Sequence, residues 1–149
     1  MKTQLFILAG VISVISSVSC AQNILVVTSS SASFGHDWSF AWSQESNPHR
    51  IVDPFLANEV QSQIKAQLEN VGLSPRVDEF QVPNVIVVAT EMGPKPNPGT
   101  LVIELYDAST KALLWRAIAQ NALNEGEWQD NKQIVDRAIT KMFKNFPYH

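Results

Sequence analysis

One stretch, Gly99–Ala122, most constrains what this 149-residue chain can fold into. In its first half, Leu101, Ile103 and Leu105 alternate with Val102, Glu104 and Tyr106. This is the period-two pattern of a strand with one buried face. Asp107–Thr110 supplies turn residues, because an aspartate carboxylate accepts hydrogen bonds from backbone amides two residues on. Leu113–Ala119 predicts the return strand, with Arg116 on the face that is not buried. The stretch therefore predicts a β-hairpin, which needs further strands or helices to cover its apolar face.

The first predicted helix begins at Asp53-Pro54 and ends at Gly72. Aspartate is a favoured N-cap, proline suits the first helical turn, and glycine commonly follows the last one. The apolar residues recur every four positions, at Leu56, Val60, Ile64 and Leu68. This spacing predicts a helix with one buried stripe.

A second helix is predicted near the end of the chain, where Asp130 fits a cap, Gln133 fits its capping box, and Pro147 terminates the pattern. The residues of its apolar stripe are Ile134, Val135, Ala138, Ile139, Met142 and Phe146. This helix, like the first, has one face to bury.

Three further segments are prone to form strands. Val85–Ala89 is apolar on both faces, as in the middle of a sheet, Trp38–Trp42 is aromatic at alternate positions, and Asn23–Thr28 is rich in β-branched residues. Two single-stripe helices both need a sheet to cover. We expect an α+β fold, a two-layer sandwich with a mainly antiparallel sheet of four to five strands and two helices packed on one face.

The N-terminus resembles a secretory leader over residues 1–21, with a basic start and an apolar run, Leu5–Val18. The run is shorter than the roughly twenty apolar residues of a spanning helix. Cys20 follows it as in a lipobox, so acylation of Cys20 is expected, and the alternative is ordinary cleavage after Ala21. Multiple acyl chains would hold the protein on a bilayer. Because Ala21 rather than aspartate follows Cys20, we expect sorting to the outer membrane.

The sequence predicts three parts, of which the leader, residues 1–21, is the first. Residues 22–37 combine a short strand with a serine-rich tether, and residues 38–147 form a single α+β domain, a reasonable size for one core. Cys20 is the only cysteine, which excludes an intramolecular disulfide. The net charge of −3, without a basic patch, argues against nucleic acid as a partner.

Catalytic and metal-binding patterns are absent from the sequence. His36, Asp37 and His49 lack the tight spacing of structural zinc ligands. No G-x-S-x-G elbow and no G-x-G phosphate loop occur. We therefore expect no catalytic residue, no metal, no cofactor and no enzymatic activity.

The candidate binding surface consists of Trp38, Phe40, Trp42 and Arg116. The three aromatic residues share one face of a strand, where packing against a helix is the favoured interpretation and a ligand platform the alternative. Arg116 would be free to receive an acidic partner if the sheet face is uncovered. The proline-rich stretch Gly93–Gly99 fits a long connection better than a docking loop.

Four stretches together resemble the domain of unknown function 4136 family of small Gram-negative envelope lipoproteins. Ser39–Trp42 is similar to its N-terminal motif, Asp53–Leu73 to its first helix, Gly99–Ala117 to its most recognisable segment and Lys132–Pro147 to its closing helix. The resemblance implies export and a lipid anchor. It implies no activity and assigns no functional residue.

These features predict an exported, lipid-anchored envelope protein on the periplasmic face of the outer membrane, acting as a non-enzymatic binding or structural module. Its expected partners are the membrane, through the N-terminal lipid, and another envelope protein. The alternative is a soluble periplasmic or secreted carrier of a small ligand, with an aromatic-lined site.

Overall fold

A computed structural model describes most of the chain after the predicted leader. The described residues are 23–30, 32–45, 51, 53–92, 99–123 and 128–147. The leader with Cys20, His49 and residues 93–98 of the proline-rich stretch lie outside them.

The described elements form one sheet and two helices. In chain order they are β1 (Ile24–Thr28), β2 (Ser39–Trp42), α1 (Pro54–Asn70), β3 (Ser74–Pro75), β4 (Val85–Met92), β5 (Thr100–Asp107), β6 (Leu113–Ala119) and α2 (Trp128–Phe143). The strand order is β1-β6-β5-β4-β2-β3. The α+β class is confirmed.

The sheet differs from the expected one in strand number and direction. Over the described residues it has six strands rather than four to five, and β2 runs parallel to both β3 and β4. The remaining pairs are antiparallel. The mixed character follows from α1, because a helix between two strands carries the chain back to the same end of the sheet and makes those strands parallel.

Helix α1 has the ends that the sequence predicts. The Asp53 carboxylate accepts hydrogen bonds from the backbone N–H groups of Phe55 and Leu56 at 2.8 and 3.1 Å. After the helix, Gly72 adopts a φ of 92°, a conformation that glycine reaches without steric cost. Its four predicted stripe residues are all buried.

Helix α2 begins earlier than the predicted cap at Asp130, since its range starts at Trp128. Neither Trp128 nor Gln129 breaks a helix, so the helical hydrogen bonding extends upstream of the aspartate. The helix ends at Phe143, before Pro147, yet Phe146 is still buried against the core.

Both helices lie on the same side of the sheet, as expected. The α1 stripe and most of the predicted α2 stripe join the inward-facing residues of β4, β5 and β6 in one hydrophobic cluster. Ile134, the first residue of the predicted α2 stripe, is only half-buried. Trp115 is fully buried there, with its ring centroid 4.8 Å from Phe143 and 5.3 Å from Phe146. The predicted hairpin is confirmed as β5 and β6, which pair from Leu101↔Ala119 to Leu105↔Trp115.

Candidate functional site

The three aromatic residues of the predicted binding surface lie on the helix side of β2. Phe40 is 2% exposed and belongs to the core, so it is not available to a ligand at the surface. Trp38 and Trp42 are half-buried and pack against the same core. The ring of Trp38 meets Phe34 edge-on at 6.0 Å. Packing, the favoured interpretation of this strand, therefore accounts for its aromatic residues.

A cleft of about 460 Å³ opens where β2 ends beside β4 and α1. Of the three aromatic residues, Trp42 alone lines it among the described residues. The other apolar residues of its wall are Ile51, Ala57, Val60, Val87, Val88 and Ala89. The structure thus separates Trp42 from Trp38 and Phe40 and does not bring them together as one platform.

The side of the sheet opposite the helices, here called the outer face, holds the fourth predicted residue, Arg116. Strand register places the members of this face in rows across β1, β6, β5 and β4. They are Leu25, Val27, Ile86, Val88, Thr90, Val102, Glu104, Tyr106, Arg116 and Ile118. The face is mainly apolar, with one charged pair at its middle.

In that pair, the positive charge of Arg116 is neutralised by a carboxylate of the same chain. Its Nε donates to Glu104 Oε1 at 2.6 Å, directly across the hairpin. The hydrogen bond to Glu104 raises the pKa of Arg116. Burial, and secondly the Glu104 charge, raise the pKa of the adjacent Tyr106 phenol. Glu104 is thus the acidic group that pairs with Arg116 within the chain.

Exposure on the outer face is greatest at its β1 margin. Leu25 is 58% and Val27 49% exposed, whereas Val102 and Thr90 are 4% and 5% exposed. Leu25 and Val27 are neighbours on this face, and contiguous exposed apolar side chains form the kind of patch that marks protein–protein interaction sites. The β1 margin is therefore the candidate site for association.

A second exposed apolar group lies in the loop between β3 and β4 and was not predicted from the sequence. Val77, Phe80 and Val82 are 94%, 95% and 77% exposed. Asp78 holds the loop, since its carboxylate accepts from Phe80 N at 2.9 Å. The sequence feature that could have indicated this exposed group is the presence of apolar residues among turn-forming residues, between the first predicted helix and the next predicted strand.

Charged residues of the two helices form a cluster of ion pairs. Lys132 Nζ lies 2.8 Å from both Glu59 Oε1 and Asp136 Oδ2. The hydrogen bond from Lys132 lowers the pKa of Glu59, and burial raises the pKa of Asp136. Such partly exposed pairs contribute little free energy of folding.

The described residues contain no group of three or more His, Cys, Asp or Glu side chains placed to hold a metal ion. His36 and Asp37 are exposed in the loop before β2. Within the described ranges, no helix combines the length and hydropathy needed to cross a bilayer.

The hairpin turn gives an expected pH dependence. The Asp107 carboxylate accepts from Ser109 N and Thr110 N, both at 2.8 Å, and from Ser109 Oγ at 2.6 Å. These hydrogen bonds, led by Ser109, lower its pKa from 3.8 to about 2. A group with a lowered folded-state pKa stabilises the fold above its unfolded pKa, and this stabilisation disappears as the pH falls toward the folded value.

We therefore expect Asp107→Asn to reduce stability at pH 6 and the difference from wild type to shrink between about pH 4 and pH 2. Urea unfolding midpoints of both proteins across this range would measure it. A difference that stays constant down to pH 2 would show that the carboxylate charge does not act in this turn.

Solved structures with the same fold include PelC from Paraburkholderia phytofirmans, described as a dodecamer. It aligns with a TM-score of 0.56 and 14% identity over 85% of this chain and 99% of that chain. A dodecamer of a PelC variant from the same organism aligns with a TM-score of 0.55 and 15% identity, over 79% and 95% of the two chains. At these identities the likeness shows the fold alone.

Among curated proteins, none matches this chain. A family model, Domain of unknown function (DUF4136), matches residues 26–148, which span every described strand and helix except the first two residues of β1. The chain belongs to the DUF4136 family.

Proposed function

We propose that this protein is an exported, lipid-anchored component of the Gram-negative envelope that acts as a non-enzymatic structural module by associating with other protein chains. The single observation that carries association is the β1 margin of the outer face. There, Leu25 and Val27 remain about half exposed, whereas Val102 and Thr90 of the same face are buried. Covering these two side chains by another chain would remove that apolar surface from water.

The anchor is supported by the order of residues at the N-terminus. Cys20 follows the apolar run Leu5–Val18 with only Ser19 between them, and it lies four positions before β1 begins at Ile24. An acyl group on Cys20 would therefore hold the sheet close to the bilayer, because an extended chain spans about 3.3 Å per residue. The resemblance of four sequence stretches to small envelope lipoproteins also supports the proposed anchor.

Assembly is supported by the fold. The PelC structures that share it are described as dodecamers. The same fold can thus place many copies in contact, which is the behaviour expected of a structural module rather than of a carrier with an enclosed ligand site.

Anchoring is tested by the intact mass and the location of the protein expressed in a Gram-negative host. We expect a mature chain that begins at Cys20 and carries acyl groups, found in the outer membrane. Cys20→Ser should abolish the acyl mass and release the protein from the membrane. A mature chain that begins at Gln22 without lipid would contradict the anchor.

Ala21→Asp is the matched control. By the usual sorting rule for lipoproteins, this variant should keep its acyl mass but move to the inner membrane. If it stays in the outer membrane, another part of the chain determines its location.

A further inference from the structure

We propose that the outer edge of β1 is where a second copy of this chain binds, its own β1 pairing antiparallel with the first about a twofold axis. The inference rests on the proposed function in one respect, that the protein acts by association between chains. It goes further by naming the partner, the edge and the register.

The two hydrogen bonds at the ends of β1 show which backbone groups face outward. Gln120 N donates to Asn23 O at 3.1 Å, and Ser29 N donates to Leu114 O at 2.9 Å. In an antiparallel pair, residues that bond to the neighbouring strand alternate with residues that do not. Asn23, Leu25, Val27 and Ser29 therefore bond toward β6. Ile24, Val26 and Thr28 direct their N–H and C=O groups to the outer edge, where no described strand pairs with β1.

This edge lacks the features that keep sheet edges apart. Proteins protect an edge with a charged side chain, a proline, a bulge or a very short strand. The β1 sequence, Ile-Leu-Val-Val-Thr, has neither charge nor proline, and its register with β6 runs without a shift. An edge of this kind is a template for another strand.

The opposite edge of the sheet is protected. Strand β3 has only two residues, and Ser74 N and Arg76 N both donate inward, to Trp38 O and Phe40 O at 2.9 Å. The outward position between them is Pro75, which has no N–H to donate. Because β3 offers no outward donor at that position, pairing of β1 with β3 of another copy is disfavoured.

Antiparallel pairing of β1 with itself satisfies every outward group. With Val26 opposite Val26 of the second copy, Ile24 of each copy lies opposite Thr28 of the other. These three residues of each copy, six in all, then exchange backbone hydrogen bonds across the interface. On the outer face, Leu25 of each copy then lies opposite Val27 of the other. The half-exposed apolar side chains thus cover each other, and no like charges meet.

The register is compatible with two lipid anchors. In this arrangement the two Ile24 residues lie four residues apart along the strand direction, about 13 Å. The segment between Cys20 and Ile24 can extend over a similar length. Both acyl groups can therefore reach one bilayer when the paired strands lie parallel to its surface.

Disulfide formation in intact cells tests the register. Leu25 and Val27 of opposite copies form a pair without direct hydrogen bonds, with Cα atoms about 4.5 Å apart. This distance is within the range that a disulfide bridges. Cells that co-express a Leu25→Cys chain and a Val27→Cys chain should yield a crosslinked dimer after mild oxidation.

Each cysteine variant alone is the control. Residues at the same position in the two copies lie on the diagonal of the pair, about 8 Å apart, which is too far for a disulfide. Equal crosslinking in the single and mixed samples, or none in the mixed sample, would overturn the register.

Charge substitutions test the interface without cysteine. Leu25→Lys with Val27→Lys places lysine opposite lysine twice, and we expect the association constant to fall roughly tenfold or more. Leu25→Lys with Val27→Glu places lysine opposite glutamate and should restore association relative to the double lysine variant. Light scattering of the detergent-extracted full chain measures the oligomer, and urea midpoints show that both variants remain folded.

Phe80→Lys is the matched control for a charge at an exposed apolar position away from β1, and it should leave the oligomer unchanged. A monomeric wild-type protein, or an oligomer equally stable in both double variants, would overturn the inference. The anchor and the β1 interface are tested separately. Absence of the acyl mass at Cys20 would contradict the anchor, whereas only the crosslinking and scattering results decide the β1 interface.

Discussion

Replacing Trp115 by alanine should lower the free energy of unfolding by about 4 kcal/mol. Trp115 is fully buried, and its ring contacts those of Phe143 and Phe146. Truncation removes a large apolar surface and leaves a cavity between β6 and the C-terminal end of α2. Urea unfolding followed by circular dichroism would measure the change.

Trp115→Phe is the control that keeps this prediction testable if the alanine variant fails to fold. Phenylalanine retains most of the aromatic contact and removes an indole N–H that is buried without a hydrogen-bond partner. An unpartnered buried donor costs free energy, so its removal offsets part of the lost volume. We expect a loss of about 1 kcal/mol, well below that of alanine. Equal losses in the two variants would show that ring packing contributes little.

Ile64→Ala should lower the free energy of unfolding by about 3 kcal/mol. Ile64 is fully buried at the middle of the α1 stripe, between Val60 and Leu68. Because neighbours on both sides are fixed in the same core, the site has little room to collapse around the cavity. The urea unfolding midpoint should fall without a change in slope.

Lys65→Ala is the matched substitution one position along the helix. Lys65 is exposed, and alanine has an equal or better helix propensity. Its stability should therefore stay within about 0.5 kcal/mol of wild type. A similar loss in the Ile64 and Lys65 variants would contradict the assignment of the buried face of α1.

The hairpin and both helices were predictable because their signals are local. The alternation in Leu101–Tyr106 depends on neighbours two positions away, and the stripe of α1 depends on neighbours four positions away. The cap at Asp53 and the positive φ of Gly72 involve adjacent residues. These features do not depend on the rest of the chain, so the sequence contains all the information they need.

The candidate site was less predictable for the opposite reason. Trp38, Phe40 and Trp42 share one strand face, but the sequence does not state whether that face meets a helix or solvent. Similarly, the residue that pairs with the positive charge of Arg116 depends on the register of the hairpin. That register places Glu104 directly opposite Arg116. Burial and pairing are properties of the assembled sheet.

The sequence by itself determined the family, the α+β class and the apolar faces of the elements, because periodicity and capping are encoded within a few residues of each position. Tertiary structure decided that β2 lies parallel to β4, that Phe40 is buried and that β1 forms the unprotected edge. Strand order depends on contacts between residues far apart in the chain. Many orders satisfy the same local patterns, and the packing of both helices on one side of the sheet selects among them.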